Sequence, residues 1–167
     1  MNVVKPGIGR ELAFHLRQDR MRKLLEKVEL QFSLDYLDEA KATMSFMLEQ
    51  AKGAIDADVG YSLANLFYKT GNSKSALQVL DMICQPDAKK TPRILNLKGM
   101  CCVRLNKEKE ASQLFEMCIL LDPGFVNSLN NLGNMAMHNK DYDKCKLYYT
   151  KSKESRLDSL RKQSVGQ

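Results

Sequence analysis

The sequence predicts an all-α fold: a right-handed α-solenoid of stacked antiparallel helical hairpins, with about eight helices. Spacing is the first observation behind it. Gly99-x₁₁-Ala111-x₃-Phe115 returns 34 residues later as Gly133-x₁₁-Cys145-x₃-Tyr149. Upstream, Ala64-x₁₁-Ala76-x₃-Leu80 repeats the pattern, offset by one residue. A period near 34 residues belongs to stacked hairpins, in which each unit buries its apolar face only against its neighbours. The second observation is that apolar residues recur at steps of three and four, with no strand-like alternation. The third is where glycine and proline fall: at the ends of these periodic stretches.

The first helix is predicted from Gly9 to about Phe32, carried by Leu12, Leu16, Met21, Leu25 and Val28. Ser33-Leu34-Asp35 interrupts it, and either Ser33 or Asp35 suits an N-cap. The second runs from Tyr36 to about Lys52, with Leu37, Ala40, Met44, Met47 and Leu48 on one face. The third covers about Asp58 to Lys69. Gly71 stops it by taking the left-handed conformation. Ser73 opens the fourth, which runs to about Cys84 and ends before Pro86. Thr91-Pro92 starts the fifth, with Thr91 as N-cap and proline in the first turn, where its missing N–H is harmless. It runs to about Leu105. The sixth spans about Lys109 to Leu120 and is broken by Asp122-Pro123-Gly124. The seventh covers about Val126 to His138. The eighth runs from Tyr142 to about Arg161, with the last residues frayed. Links this short make neighbouring helices antiparallel.

Composition narrows the function classes. The chain has 167 residues, 44% hydrophobic and 28% charged, the balance of an ordinary globular protein. No apolar run approaches the ~20 residues that cross a bilayer. The N-terminal residues lack the pattern of a secretory signal. Five cysteines, Cys84, Cys101, Cys102, Cys118 and Cys145, show no C-x-x-C spacing and no ligand spacing to His15 or His138. They read as unbridged structural thiols in a reducing, cytoplasmic setting, with Cys102, Cys118 and Cys145 buried. No metal, no cofactor and no catalytic constellation is predicted: a phosphate-binding glycine loop and a nucleophile elbow are both missing from the sequence. Net charge is +6. The excess gathers at Arg10, Arg17, Arg20, Arg22 and Lys23 and again at Lys151, Lys153, Arg156, Arg161 and Lys162. No aromatics interleave with these clusters, so they read as solvated helix faces rather than a nucleic-acid surface.

At these residues the chain resembles the tetratricopeptide-repeat family. The resemblance covers 58–157 as three repeats. The family's helix-packing pair is matched by Leu63-Ala64, Lys98-Gly99 and Leu132-Gly133. Its second-helix pair is matched by Ala76 and Leu80, Ala111 and Phe115, Cys145 and Tyr149, and its closing proline by Pro123. Departures are Lys98 for the usual leucine, small Cys102 and Ala136 at bulky places, and one extra residue before Thr91. Residues 9–52 read as a degenerate repeat or a capping hairpin, 1–8 as a flexible N-terminus, and 158–167 as a helix extension with a frayed end. In the hairpin crossing, Gly99 and Gly133 are expected to admit close approach of the second helix at Ala111 and Cys145. Leu80, Phe115 and Tyr149 are expected to reach the next hairpin.

The resemblance implies that the first helix of each hairpin lines a concave, peptide-binding groove. Its face maps onto Tyr61, Asn65, Tyr68 and Lys69 in one repeat. In the next it maps onto Arg93, Asn96, Met100 and Arg104, and in the last onto Asn127, Asn130, Asn131, Asn134 and His138. Asparagine is a mediocre helix former, so its abundance here needs a reason. One reason is hydrogen bonding to an extended peptide backbone. The other is tolerated surface polarity, with Asn127 a cap. A clamp for acidic chaperone tails is disfavoured, since of Tyr61, Asn65, Leu97, Asn127 and Asn131 only Asn65 matches. The small secretion chaperones of similar length tend to be acidic, unlike this basic chain. The expected function is a non-catalytic protein-interaction adaptor, chaperone-like, binding a partner segment with apolar and acidic anchors. The alternatives are nucleic-acid or acidic-partner binding through the basic terminal helices, and a self-associating scaffold.

Overall fold

A computed structural model describes residues 8–51, 55–84 and 91–165. They form eight helices: α1 (Ile8–Ser33), α2 (Leu37–Ala51), α3 (Ala57–Lys69), α4 (Ser73–Ile83), α5 (Pro92–Arg104), α6 (Glu108–Leu121), α7 (Val126–His138) and α8 (Tyr142–Val165). No strand occurs among the described residues. The expected boundaries hold closely. The main difference is α8, which continues to Val165 rather than ending near Arg161. The chain divides into two compact units, Met1–Pro86 and Asp87–Gln167.

In the first unit α1 pairs with α2, α3 pairs with α4, and α1 also packs on α3. The core is Met21, Val28, Met44, Met47, Leu63 and Leu80, all buried. The backbone N–H of Asp56 donates to Oε1 of Gln18 at 2.9 Å, tying the start of α3 to α1. The Asp56 carboxylate accepts from the N–H groups of Asp58 and Val59, which caps α3. In the second unit α5 pairs with α6, α7 pairs with α8, and α6 packs on α7. Leu95, Cys101, Cys102, Phe115, Cys118 and Leu129 fill it.

All four hairpins turn in the same way. Asp35, Gly71, Asn106 and Lys140 have φ of 62°, 84°, 58° and 59°. Each stands seven residues after the helix-packing position of its hairpin, Val28, Ala64, Gly99 or Gly133. The hydrogen bonds repeat too. Gly71 N–H donates to Tyr68 O and Asn72 N–H to Phe67 O, and the same pair of bonds recurs at Asp35/Tyr36, Asn106/Lys107 and Lys140/Asp141. This is the two-bond closure that ends a helix on one left-handed residue. Thr91 does occupy the N-cap of α5, but its hydroxyl makes no capping bond.

Within each hairpin the close approach differs in detail from expectation. A Cβ on Gly99 would lie 2.5 Å from Cε1 of Phe115, and one on Gly133 would lie 3.1 Å from the Tyr149 ring. The aromatics expected to reach the next hairpin therefore lie across the glycines of their own. At Gly99 glycine is required because the Phe115 ring takes the space of the missing methyl; at Gly133 the approach is looser. Ala111, at 0% exposure, and Cys145 are buried, as their small size suits.

Candidate functional site: the first-helix faces

Four of the thirteen expected groove residues lie in the first unit and nine in the second. On α3, Tyr61, Asn65 and Tyr68 are half-buried and Lys69 is exposed. Lys69, Leu66 and Thr70 form one wall of a cleft of about 500 Å³, opposite Phe32, Leu37 and Lys41. Sequence reasoning named only Lys69 among these. The register could have found more: Phe32 and Leu37 stand four and nine residues after Val28.

In the second unit the face divides into a buried seam and an open rim. Asn96, expected in the groove, is buried at 6% exposure. Its Oδ1 accepts from Ser128 Oγ and from Asn131 Nδ2, both at 3.0 Å. Its Nδ2 lies 3.3 Å from Met100 Sδ, which accepts. Ser128 is fully buried. Asn96 and Asn131 thus spend their amides on joining α5 to α7, because a buried amide without partners would be costly. Asn131 is half-buried and bonded, so part of its amide is already engaged within the fold. Asn130, half-buried, accepts from Ser152 Oγ at 2.6 Å, which ties α7 to α8. Leu97, on the same helix as Asn96, is buried at 3% exposure.

The rim is formed by Arg93, Arg104, Asn127, Asn134 and His138, all exposed, with Met100 half-buried between them. Asn134 accepts a short hydrogen bond from the Tyr149 hydroxyl. At the loop end, Val103, Glu108, Asn134, Met135, His138 and Asn139 surround a cleft of about 300 Å³. It corresponds position by position to the first unit's cleft. Val103 and Glu108 stand four and nine residues after Gly99, as Phe32 and Leu37 do after Val28. Met135 and His138 stand two and five after Gly133, as Leu66 and Lys69 do after Ala64. The first cleft includes Lys41 and Lys69; the second includes Glu108 and three asparagines.

The thiols lie behind this face. All five cysteines are free of disulfides; Cys101, Cys102, Cys118 and Cys145 are buried and Cys84 is half-buried. Burial pushes the Cys101 thiol up to about 12, with Cys102 adding to the rise and Arg104 opposing it. Burial likewise raises Cys102, reinforced by Glu110, and raises Cys118. Such thiols stay protonated and unreactive at neutral pH. Among the described residues no group of histidines, cysteines and carboxylates is arranged to hold a metal ion.

A tetratricopeptide-repeat family model matches residues 92–125 and 126–158, which are α5–α6 and α7–α8 with their exits. Residues 92–158 thus match the tetratricopeptide-repeat family as two repeats. Tetratricopeptide-repeat register explains why the two glycine–aromatic pairs fall one repeat apart. A crystal structure of MamA is similar in fold, with a TM-score of 0.68 and 15% sequence identity over 84% of this chain and 81% of that one. A double mutant of MamA RS-1 gives 0.67 and 18% over 83% and 76%. At these identities the similarity concerns the fold alone: an α-solenoid of stacked helical hairpins. A comparison with curated proteins gives no match. No helix among the described residues is long and apolar enough to cross a membrane.

Proposed function

We propose that the protein is a non-catalytic interaction adaptor that binds a partner's peptide segment on the first-helix faces. The observation that carries this reading is the exposed rim of α5 and α7. Asn134 and His138 line a cleft and Arg93 and Arg104 are exposed on α5, on helices whose backs are fixed by the Asn96–Ser128–Asn131 seam. A rigid helical scaffold with an exposed polar rim suits recognition, since little ordering is needed on binding. Arg93 and Arg104 favour a peptide carboxylate through charge-assisted hydrogen bonds. In the first unit, Phe32, Leu37 and Leu66 suit an apolar anchor, and Lys41 and Lys69 suit an acid beside it. The shared left-handed turns and corresponding clefts support reading 9–52 as a degenerate repeat that contributes binding surface. The reduced thiols support a cytoplasmic setting, and the chaperone-like role is one form of the same adaptor.

Selection from a displayed library of random peptides tests the reading. Selected peptides should carry acidic and apolar residues. Arg104→Glu with His138→Glu should remove their binding, while Lys109→Ala with Lys146→Ala should leave it intact. Binding that ignores the first pair of changes would contradict the proposal.

A further inference from the structure

The end of α8 carries a surface with a definite counterpart inside the protein. Helix α8 has 24 residues, whereas its repeat counterpart α6 has 14. Tyr149, Lys153, Arg156, Leu157 and Leu160 form one stripe along it, at the three- and four-residue spacing of a single helix face. They line a cleft of about 380 Å³, closed on one side by Asn130 and Ser152. Leu157 is 43% and Leu160 59% exposed.

One repeat earlier, the corresponding surface is covered. Asn130, Tyr149 and Ser152 stand 34 residues after Asn96, Phe115 and Cys118. Those three are buried, with α7 packed on α6 and Ser128 and Asn131 bonded to Asn96. Among the described residues nothing plays the part of α7 for Asn130, Tyr149 and Ser152. The surface is shaped for one more helix.

Charge selects which helix. The stripe contributes two cations, Lys153 and Arg156, and no acid lines the cleft. A second copy docking through its first helix would bring Arg17, Arg20 and Lys23 together with Asp19 and Glu26, a mixed face rather than an acidic one. From this we infer that the end face of α7 and α8 docks an acidic amphipathic helix of a partner protein. Its apolar side covers Leu157 and Leu160, and its carboxylates meet Lys153 and Arg156.

The probe is a synthetic amphipathic helical peptide with leucines along one face and glutamates flanking them; its control has lysines for the glutamates. Fluorescence anisotropy with the full chain should show saturable binding of the glutamate peptide only. Lys153→Glu with Arg156→Glu should weaken that binding at least about tenfold and create binding of the lysine peptide. Leu157→Asp with Leu160→Asp should weaken binding of the glutamate peptide, with helicity unchanged by circular dichroism because both leucines are exposed. All variants are compared in a chain that also carries Arg104→Glu and His138→Glu, which removes the pull of the α5 and α7 rim on an acidic apolar peptide, so the binding read out belongs to this face. Three results would overturn the inference: no saturable binding, glutamate-peptide binding indifferent to the charge reversal, or self-association of the native chain in sedimentation that Leu157→Asp abolishes. The last would assign the face to a second copy.

Discussion

The Phe115 ring occupies the space where a side chain on Gly99 would begin: a Cβ there would stand 2.5 Å from its Cε1. The ring is fully buried and has nowhere to retreat. Gly99→Ala should therefore destabilise the protein by about 1–3 kcal/mol, even after the helix-propensity gain of alanine. Gly133→Ala meets Tyr149 at 3.1 Å, but that ring is 37% exposed and can swing outward. Its effect should stay within about 0.5 kcal/mol, the range of ordinary surface substitutions. Urea denaturation of the two variants checks this, and equal losses would contradict the packing described.

The amide seam predicts a second asymmetry. Asn96→Ala removes the acceptor of fully buried Ser128 and should destabilise by about 1–3 kcal/mol. Asn131→Ala leaves Asn96 still accepting from Ser128, and Asn131 is half-buried. Its loss should be about 1 kcal/mol or less, that of a single exchangeable hydrogen bond. Thermal unfolding of both variants separates the two cases; a larger effect at Asn131 would show that Asn96 is not the hub.

Lys140 holds a left-handed conformation at φ 59° where the equivalent turn in the first unit uses Gly71. That conformation is strained for a residue with a Cβ. Lys140→Gly should raise stability by about 0.5–1 kcal/mol, and Gly71→Ala should lower it by a similar amount. Denaturation midpoints moving the other way would mean that these turns do not hold the geometry described.

Cys101 ties stability to alkaline pH. Its thiol is ordinarily near 9.0 and is pushed up to about 12 in the fold. Between those values the unfolded chain ionises while the folded chain stays protonated. Stability is therefore retained below pH 9 and falls as pH rises towards 12. Cys101→Ala should flatten this decline relative to the parent when unfolding is followed across that window. An unchanged decline would remove Cys101 as its cause. A thiol reagent at neutral pH should modify Cys84 ahead of the other four, which should react on unfolding.

The helices and their turns were legible because they rest on local chemistry. Gly71, Pro92 and the Asp122-Pro123-Gly124 break stop or start helices through their own backbone preferences. Repeat spacing similarly marked Gly99 and Gly133. The face of each helix was less legible. Asn96 and Asn130 hold the same repeat position, yet Asn96 joins α7 at Asn131 and Ser128 while Asn130 bonds Ser152. Which way an amide turns depends on what packs over it, and that is decided by neighbours distant in sequence. The same holds for Phe115 and Tyr149: spacing places them, but only the crossing of their own hairpin shows that they cover a glycine. The end of α8 was marked by Gly166, directly after Val165, and an expected end near Arg161 passed over it.

The most direct test of the adaptor reading is site-specific photocrosslinking with a selected peptide ligand. A photoreactive side chain is placed at Asn134 or Arg104 on the rim, or at Lys109 or Lys146 on the second helices. The account predicts peptide crosslinks from Asn134 and Arg104 and none from Lys109 and Lys146. Crosslinks confined to Lys109 and Lys146, with Asn134 and Arg104 silent, would contradict it.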